Sequence, residues 1–220
     1  MTDGWLRHAL LEDLGVRHGF GTRAAPSRPD VVRPQQVHGA VVCGVTGAGG
    51  PEPPAADAIV VTTPSASVGV VTADCVPILA ATADGRSVAA IHAGWRGLAA
   101  GVVEQGLRRL AAMSPDQPVC AVVGPHIGSC CYEVDAPVLG ALRDRFGDDT
   151  LSLATSRSRP GHAMLALGRL ILAEFAALGM PTVTHGRVAG CTQCDASRFH
   201  SYRRDGARAG RLLHHIRPCG

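Results

Sequence analysis

The chain has no lysine: all 21 of its basic residues are arginine. That excludes chemistry resting on a lysine amine, such as a Schiff base, a pyridoxal-phosphate anchor or a Walker-type phosphate loop. Anion binding must fall to arginines, helix N-termini and backbone amides. Aromatic residues make up only 4% of the sequence, too few for platforms that stack single-stranded nucleic acid. The net charge is only +3, and no basic run exceeds Arg203-Arg204, so no nucleic-acid partner is expected. Long apolar runs are missing as well. The uncharged, mostly apolar stretch Ala58–Ala73 is interrupted by Pro64, which argues against a membrane span. The opening MTDGWLRHALLED lacks a basic segment followed by an apolar one, so no signal peptide is expected. The expected location is cytoplasmic, where the eight cysteines stay reduced and read as ligands, nucleophiles or core filler.

What is present is a core. The 220 residues are 46% hydrophobic and 18% charged, which fits one domain over residues 1–220. Short β-branched runs at Ala58–Thr62 and Val68–Thr72 read as neighbouring strands. Ile78–Ala83 and Val88–Ile91 flank Asp84-Gly85, a strong hairpin signal, and Pro77 is expected to bar a strand before Ile78. Val37–Val45 alternates loosely as a strand, and Thr46–Ala56 reads as a Gly/Pro-rich loop. Gly97–Met113 reads as one amphipathic helix, with Glu104 and Arg108 paired at i,i+4. Further helices are expected from about Asp135 to Phe146, with a loop over Gly147–Gly161, and over Met164–Leu178, ended by Gly179 and Pro181. Strands are expected at Val119–Val123, at Thr182–Val188 and around Arg211–Ile216. The expected class is α/β (α+β), a single domain with mixed β-sheets flanked by helices.

Three residues share one context. His38, Cys75 and His92 each stand beside a small or turn residue at an expected strand start or end. Two histidines and a thiolate are a sound catalytic zinc set, three protein ligands with the fourth position open. Asp74, next to Cys75, could orient a ring N–H or carry a proton. Alternatively Cys75 and His92 form a metal-free nucleophile–base dyad, or the three are unrelated polar residues at strand ends. Arg96 and Arg203 could each grip an anion. Cys191-Thr192-Gln193-Cys194 is a single CxxC. Cys130-Cys131 could complete a structural zinc site with it, but adjacent cysteines are expected to point apart, which favours thiols simply packed in a loop.

Taken together, five ordered words resemble one family. They are Gln36-Val37-His38-Gly39, Thr72-Ala73-Asp74-Cys75-Val76-Pro77, His92-Ala93-Gly94-Trp95-Arg96-Gly97, Gly124-Pro125-His126-Ile127-Gly128 with Cys130-Cys131-Tyr132-Glu133-Val134, and Cys191-Thr192 followed by Tyr202-Arg203-Arg204-Asp205-Gly206. They are similar to the multicopper polyphenol oxidase, or laccase-domain, family, whose members are also called purine nucleoside phosphorylases or peptidoglycan editing factors. The resemblance implies a cytotoxic-necrotizing-factor-like cysteine hydrolase fold and a metal site, usually zinc, on His38, Cys75 and His92. It implies purine nucleosides and phosphate as partners: phosphorolysis of adenosine, inosine and 5′-methylthioadenosine, and hydrolytic deamination of adenosine. Asp74, Cys75 and His92 would then be catalytic, with Glu133 behind Asp74 as a second candidate for moving a proton. Gln36, Arg96 and Arg203 would meet substrate. A monomer or small homo-oligomer is expected. Copper would fit the ligand types less well than zinc, because no His-x-His pair of the kind multicopper oxidases need occurs here. Rival readings are a metal-free hydrolase acting on a cell-wall precursor and a non-catalytic zinc-binding or partner-binding module. Two departures stand out. Only Ala24–Gln35 fills a gap that is usually longer, and His162 and Ala166 stand where the family often has Lys and Asp.

Overall fold

A computed structural model describes residues 3–45, 54–179 and 183–220. Most of the loop expected over Thr46–Ala56 lies outside the described residues, as do Pro181 and Thr182. The centre is a six-stranded sheet in the order Val183–Arg187, Val119–Val123, Val76–Thr82, Val88–Ala93, Ala58–Val61, Val42–Val45. Its four inner strands are apolar almost throughout because both faces are covered. Side chains alternate across a strand, and the core divides accordingly. Ile78 and Ala80 pack towards the helices Val102–Ala111, Ala136–Ala154 and Leu167–Ala177. Leu79 and Ala81 pack towards Phe20, Val68, Val70 and Ile216. Those last residues belong to a second, five-stranded sheet, ordered Trp5–Leu6, Arg17–Gly21, Leu212–Arg217, Ser67–Thr72, Val31–Val32. A small antiparallel sheet of Glu133–Asp135, His162–Leu165 and Thr155–Arg157 completes the α+β fold.

The expected hairpin is present: Val76–Thr82 pairs antiparallel with Val88–Ala93, and Gly85 turns the chain at φ 68°. Several expectations fail for physical reasons. Pro77 does not stop its strand. It sits one residue inside the start, paired with His92, and its carbonyl accepts the Gly124 N–H at 2.8 Å, so only a donor it never had is missing. Ala58–Val61 and Ser67–Thr72 are not partners but lie in different sheets. Between Gln36 and Val45 only Val42–Val45 is strand, because the 36–39 segment bonds to side chains instead of a ladder. The single helix expected from Gly97 is two, Trp95–Ala99 and Val102–Ala111, broken where Gly101 takes φ 83°. Helix Ala136–Ala154, kinked at Gly147, takes the first half of the expected loop and strand Thr155–Arg157 part of the rest, and residues 162–165 are strand before helix Leu167–Ala177 begins.

The shortened Ala24–Gln35 segment supplies Val31–Val32, which closes the edge of the second sheet by pairing parallel with Ser67 and Val68.

Candidate metal centre and active site

Topology alone brings the centre together. Cys75 immediately precedes strand Val76–Thr82, and His92 lies near the end of its antiparallel neighbour, with Val76 opposite Ala93. Asp57 immediately precedes Ala58–Val61, which pairs with the other side of the His92 strand. Three strand ends therefore meet at one edge.

His38 arrives from the loop. Its backbone is left-handed, φ 61°, rare for a residue with a Cβ. Asp57 holds it there. The fully buried Asp57 carboxylate accepts the consecutive N–H groups of Val37 (3.2 Å), His38 (2.9 Å) and Gly39 (2.6 Å). Successive amides wrapped round one anion form a nest. The same carboxylate takes His92 Nδ1 at 2.7 Å, and the Asp57 carbonyl accepts the His92 N–H at 2.7 Å. One side chain thus fixes the His38 loop and the His92 ring, and it leaves His92 Nε2 turned away from the carboxylate. Sequence reading missed Asp57. The available signal was a carboxylate at the mouth of a buried apolar run, where a charge needs partners.

Ligand-type atoms of His38, Cys75 and His92 all lie within 4.8 Å of one another. Cys75 Sγ is 4.0 Å from His38 Nε2, and the two imidazoles meet edge to face with centroids 4.8 Å apart. A Cβ on Gly94 would stand 3.0 Å from Cys75 Sγ and 3.3 Å from His38 Cδ2, so the space between the ligands depends on the bare glycine. Burial pushes the Cys75 thiol up, but hydrogen bonds from His38 and His92 outweigh it and bring it down to about 7. Burial pushes His92 down, but Asp57 and Cys75 raise it to about 9. Burial likewise works against ionised Asp57, and the bonds from His92 and Gly39 hold it below the usual carboxylate range.

This donor set fits a metal. Two imidazoles and a thiolate converge, and a carboxylate fixes one ring through its far nitrogen, as metal-binding histidines usually require.

Over residues 17–218 the sequence matches a family described as multi-copper polyphenol oxidoreductase laccase. The chain belongs to this laccase family. Its relatives include a Xylella fastidiosa (strain 9a5c) protein named purine nucleoside phosphorylase, 35% identical over 94% of this chain and 75% of the relative. YfiH of Escherichia coli K12, also named a purine nucleoside phosphorylase, is 36% identical over 84% of this chain and 72% of its own. The match to the Xylella fastidiosa Temecula1 relative spans only 59% of that protein's length. Among solved structures, a Neisseria meningitidis protein superposes with a TM-score of 0.74 at 32% identity, covering 86% of this chain and 75% of that one. YlmD from Geobacillus stearothermophilus gives 0.85 over the whole of both chains at 24% identity, a likeness of fold.

The other residues singled out from the family words fall into two groups. Asp74 is next to the centre but turned from it. Its backbone is also left-handed, φ 91°, and its carboxylate accepts Thr192 Oγ1 (2.6 Å), Ser201 Oγ (3.1 Å) and the Arg203 N–H (2.6 Å). It joins the C-terminal loops to Cys75 and orients neither histidine; that task belongs to Asp57. Gln36 is tied to the second sheet. Its amide donates to Val71 O at 2.8 Å and accepts the Val71 N–H at 2.7 Å, which leaves one N–H and one lone pair for any further partner. Glu133 bonds outward to Ser158 and to Arg159, at 2.9 Å for the latter, away from Asp74.

Arg96 and Arg203 both act electrostatically on Tyr132, as Cys75 does. Arg96 is exposed and stacks on Trp95 at 4.2 Å, and the Arg203 guanidinium lies 5.1 Å over the Tyr132 ring while donating to the Glu133 carbonyl. Tyr132, not singled out from sequence, links them. Burial, then the charge of Cys75, pushes its phenol up to about 12, while Arg203 and Arg96 act the other way. It therefore stays a hydroxyl at neutral pH. His162 and Ala166 sit apart: His162 Nδ1 turns back on the Pro160 carbonyl at 3.1 Å, and Ala166 lines a cavity of about 510 Å³ shared with His126 and Arg169.

Among the described residues no helix is long and apolar enough to cross a membrane.

Proposed function

We propose that the chain, as one domain over residues 1–220, is a zinc-dependent purine nucleoside enzyme working at the His38–Cys75–His92 centre. The observation that carries this reading is the convergence of three ligand atoms within 4.8 Å, with the His92 ring fixed from behind by Asp57. The relatives' name, purine nucleoside phosphorylase, supports the substrate class. His38, Cys75 and His92 would hold the ion. When bound, zinc would supply Lewis-acid polarisation of an oxygen and a water of lowered pKa.

The chain's own groups supply the rest. In phosphorolysis of adenosine, inosine or 5′-methylthioadenosine, a phosphate oxygen bonds to ribose C1′ while the glycosidic bond breaks and the purine leaves with its electron pair. Arg96 and Arg203 are the cations that act on Tyr132 and would hold the phosphate. Tyr132, kept protonated, would donate a hydrogen bond to a substrate oxygen or ring nitrogen. Hydrolytic deamination of adenosine is a second reaction of the same pocket. Asp74 would act through the position of Cys75 and the C-terminal loops. The cytoplasm is the expected location, and copper the less favoured occupant.

The test is zinc content and turnover of untagged protein. His38→Ala, Cys75→Ala and His92→Ala should each lose the zinc of this centre and nucleoside turnover while staying folded. Inosine phosphorolysis at the parental rate in the triple variant would overturn the assignment.

One observation favours a second reading. Cys75 at about 7 beside His92 at about 9 is a thiolate–imidazolium pair, as in cysteine hydrolases on the toxin-like fold that the family resemblance implies. Under that reading activity persists in protein freed of metal and is lost on alkylation of Cys75. Turnover in neither state across a nucleoside screen would leave a binding module.

A further inference from the structure

Cys130, Cys131, Cys191 and Cys194 come together in a second place. Their four sulfurs all lie within 4.8 Å of one another. Cys194 Sγ is 3.5 Å from Cys130 Sγ and 3.3 Å from Cys131 Sγ, and all four are free thiols. Four thiolates at about 2.3 Å around a tetrahedral zinc stand roughly 3.8 Å apart, so the spacing already approaches that of a ligand shell. The adjacent cysteines do not point apart. The N–H groups of Cys131 and Tyr132 both bond to the Gly128 carbonyl, at 3.0 and 3.1 Å, and that tight turn brings both sulfurs to one side.

The surroundings are built for the cluster. The Gly128 N–H donates to Cys191 Sγ at 3.2 Å. A Cβ on Gly128 would stand 3.1 Å from Cys130 Sγ and 3.4 Å from Cys191 Sγ, so the turn can approach the sulfurs only without a side chain. The two loops are joined independently of any ion, Thr192 N–H to His126 O at 3.1 Å and His126 N–H to Gly190 O at 3.3 Å. Arg204 braces the CxxC from outside by donating to the carbonyls of Thr192 (3.0 Å) and Gln193 (3.2 Å).

We propose that these four cysteines bind a structural zinc ion, separate from the His38–Cys75–His92 centre. A closed shell of four soft thiolates suits zinc and leaves no open position for substrate. The ion would clamp the Gly124–Cys131 loop to the Cys191–Cys194 loop. Both loops hold Asp74, through Ile127 N–H to Asp74 O (3.0 Å) and Thr192 Oγ1 to its carboxylate (2.6 Å). The clamp therefore steadies the residue that precedes Cys75.

The experiment uses the full chain purified under a thiol reductant, with metal analysis and zinc-edge X-ray absorption. The triple variant His38→Ala/Cys75→Ala/His92→Ala is expected to keep about one zinc per chain, in an all-sulfur shell near 2.3 Å. Cys130→Ser/Cys194→Ser, which alters two exposed residues, should lose one zinc equivalent relative to the parent. Cobalt substitution of the parent should give intense thiolate charge-transfer absorption that the serine pair cuts to the weaker band of the single Cys75 thiolate, which tests the site even if the triple variant fails to fold. Unchanged zinc content in the serine pair, a nitrogen–oxygen shell in the triple variant, a disulfide among the four detected by mass, or iron in place of zinc would each overturn the proposal. Because the triple variant lacks the proposed active centre, failure there and failure here read separately.

Discussion

At the residue scale the centre depends on Asp57, a side chain that would itself touch neither metal nor substrate. It accepts three consecutive amides of the His38 loop and the His92 ring. Asp57→Asn keeps the shape but replaces an acceptor oxygen with a donor NH2 that cannot serve these partners. It is expected to weaken zinc binding at this centre roughly 10–100-fold, by competition with a chromophoric chelator. Asp57→Ala should also cost about 3–5 kcal/mol in urea unfolding, because several buried donors lose their acceptor together. A stable, zinc-replete Asp57→Ala protein would remove Asp57 from its role. Gly94→Ala separates space from stability. Its methyl would press on Cys75 Sγ and His38 Cδ2, so zinc retention and turnover should fall at least tenfold while the melting temperature moves by only a few degrees. The three candidate ligands were legible as parts of the family words, His38 before Gly39, Cys75 after Asp74 and His92 before Ala93. Asp57 was not, because its partners are backbone amides 18 to 20 residues away and a ring 35 residues away.

At the scale of elements, the sequence revealed apolar runs better than their partners. The hairpin across Asp84-Gly85 followed from turn chemistry. The separation of Ala58–Val61 from Ser67–Thr72 did not, because both runs are equally apolar and both are buried on two faces. The segment between them instead carries the chain from one sheet to the other. Gln36 shows how such sheets are fastened to the site. Its amide copies one rung of a ladder on Val71, so the His38 loop is tied to the second sheet on one side and to Asp57 on the other. Gln36→Ala should therefore cost about 1–2 kcal/mol of stability and weaken zinc binding, with little change in KM at saturating zinc. A residue that binds substrate would behave oppositely, raising KM with stability intact. Helix packing offers a comparable tie. Arg145 reaches both Glu104 (2.7 Å) and the buried Glu174 (2.8 Å). Arg145→Ala strands a buried carboxylate, and Glu174→Gln on top of it should recover much of the loss in chemical denaturation.

For the whole molecule, the second sheet buries histidines that must stay neutral, His214 on the face towards the central sheet and His215 on the opposite face against Trp5 and Arg28. Burial drives His214 down to about 3, and His215, beside Arg28, down to about 4. His214 has Thr72 Oγ1 at 2.9 Å from its Nε2, and the buried Nδ1 atoms of both rings have no partner to welcome a proton. Both folded values lie below the ordinary 6.5, so the unfolded chain takes up protons that the folded chain refuses. The stability these rings permit is complete above about pH 6.5 and declines as pH falls towards 4 and 3. Between pH 6.5 and 5 each ring should remove about 2 kcal/mol, since one pKa unit corresponds to about 1.36 kcal/mol. In protein without metal His92 has the opposite sign, complete below about 6.5 and fading as pH rises towards 9, while Cys75, brought down to about 7, gains over the same range and offsets it. An acid loss therefore belongs to the buried histidines of the second sheet. His214→Gln retains an amide for Thr72 and cannot titrate. Compared with the parent by urea unfolding at pH 7 and pH 5, it should narrow the acid loss by about 2 kcal/mol. Parallel losses in the two proteins would mean that His214 takes up its proton in the folded state as readily as in the unfolded one, and that the space between the sheets admits water.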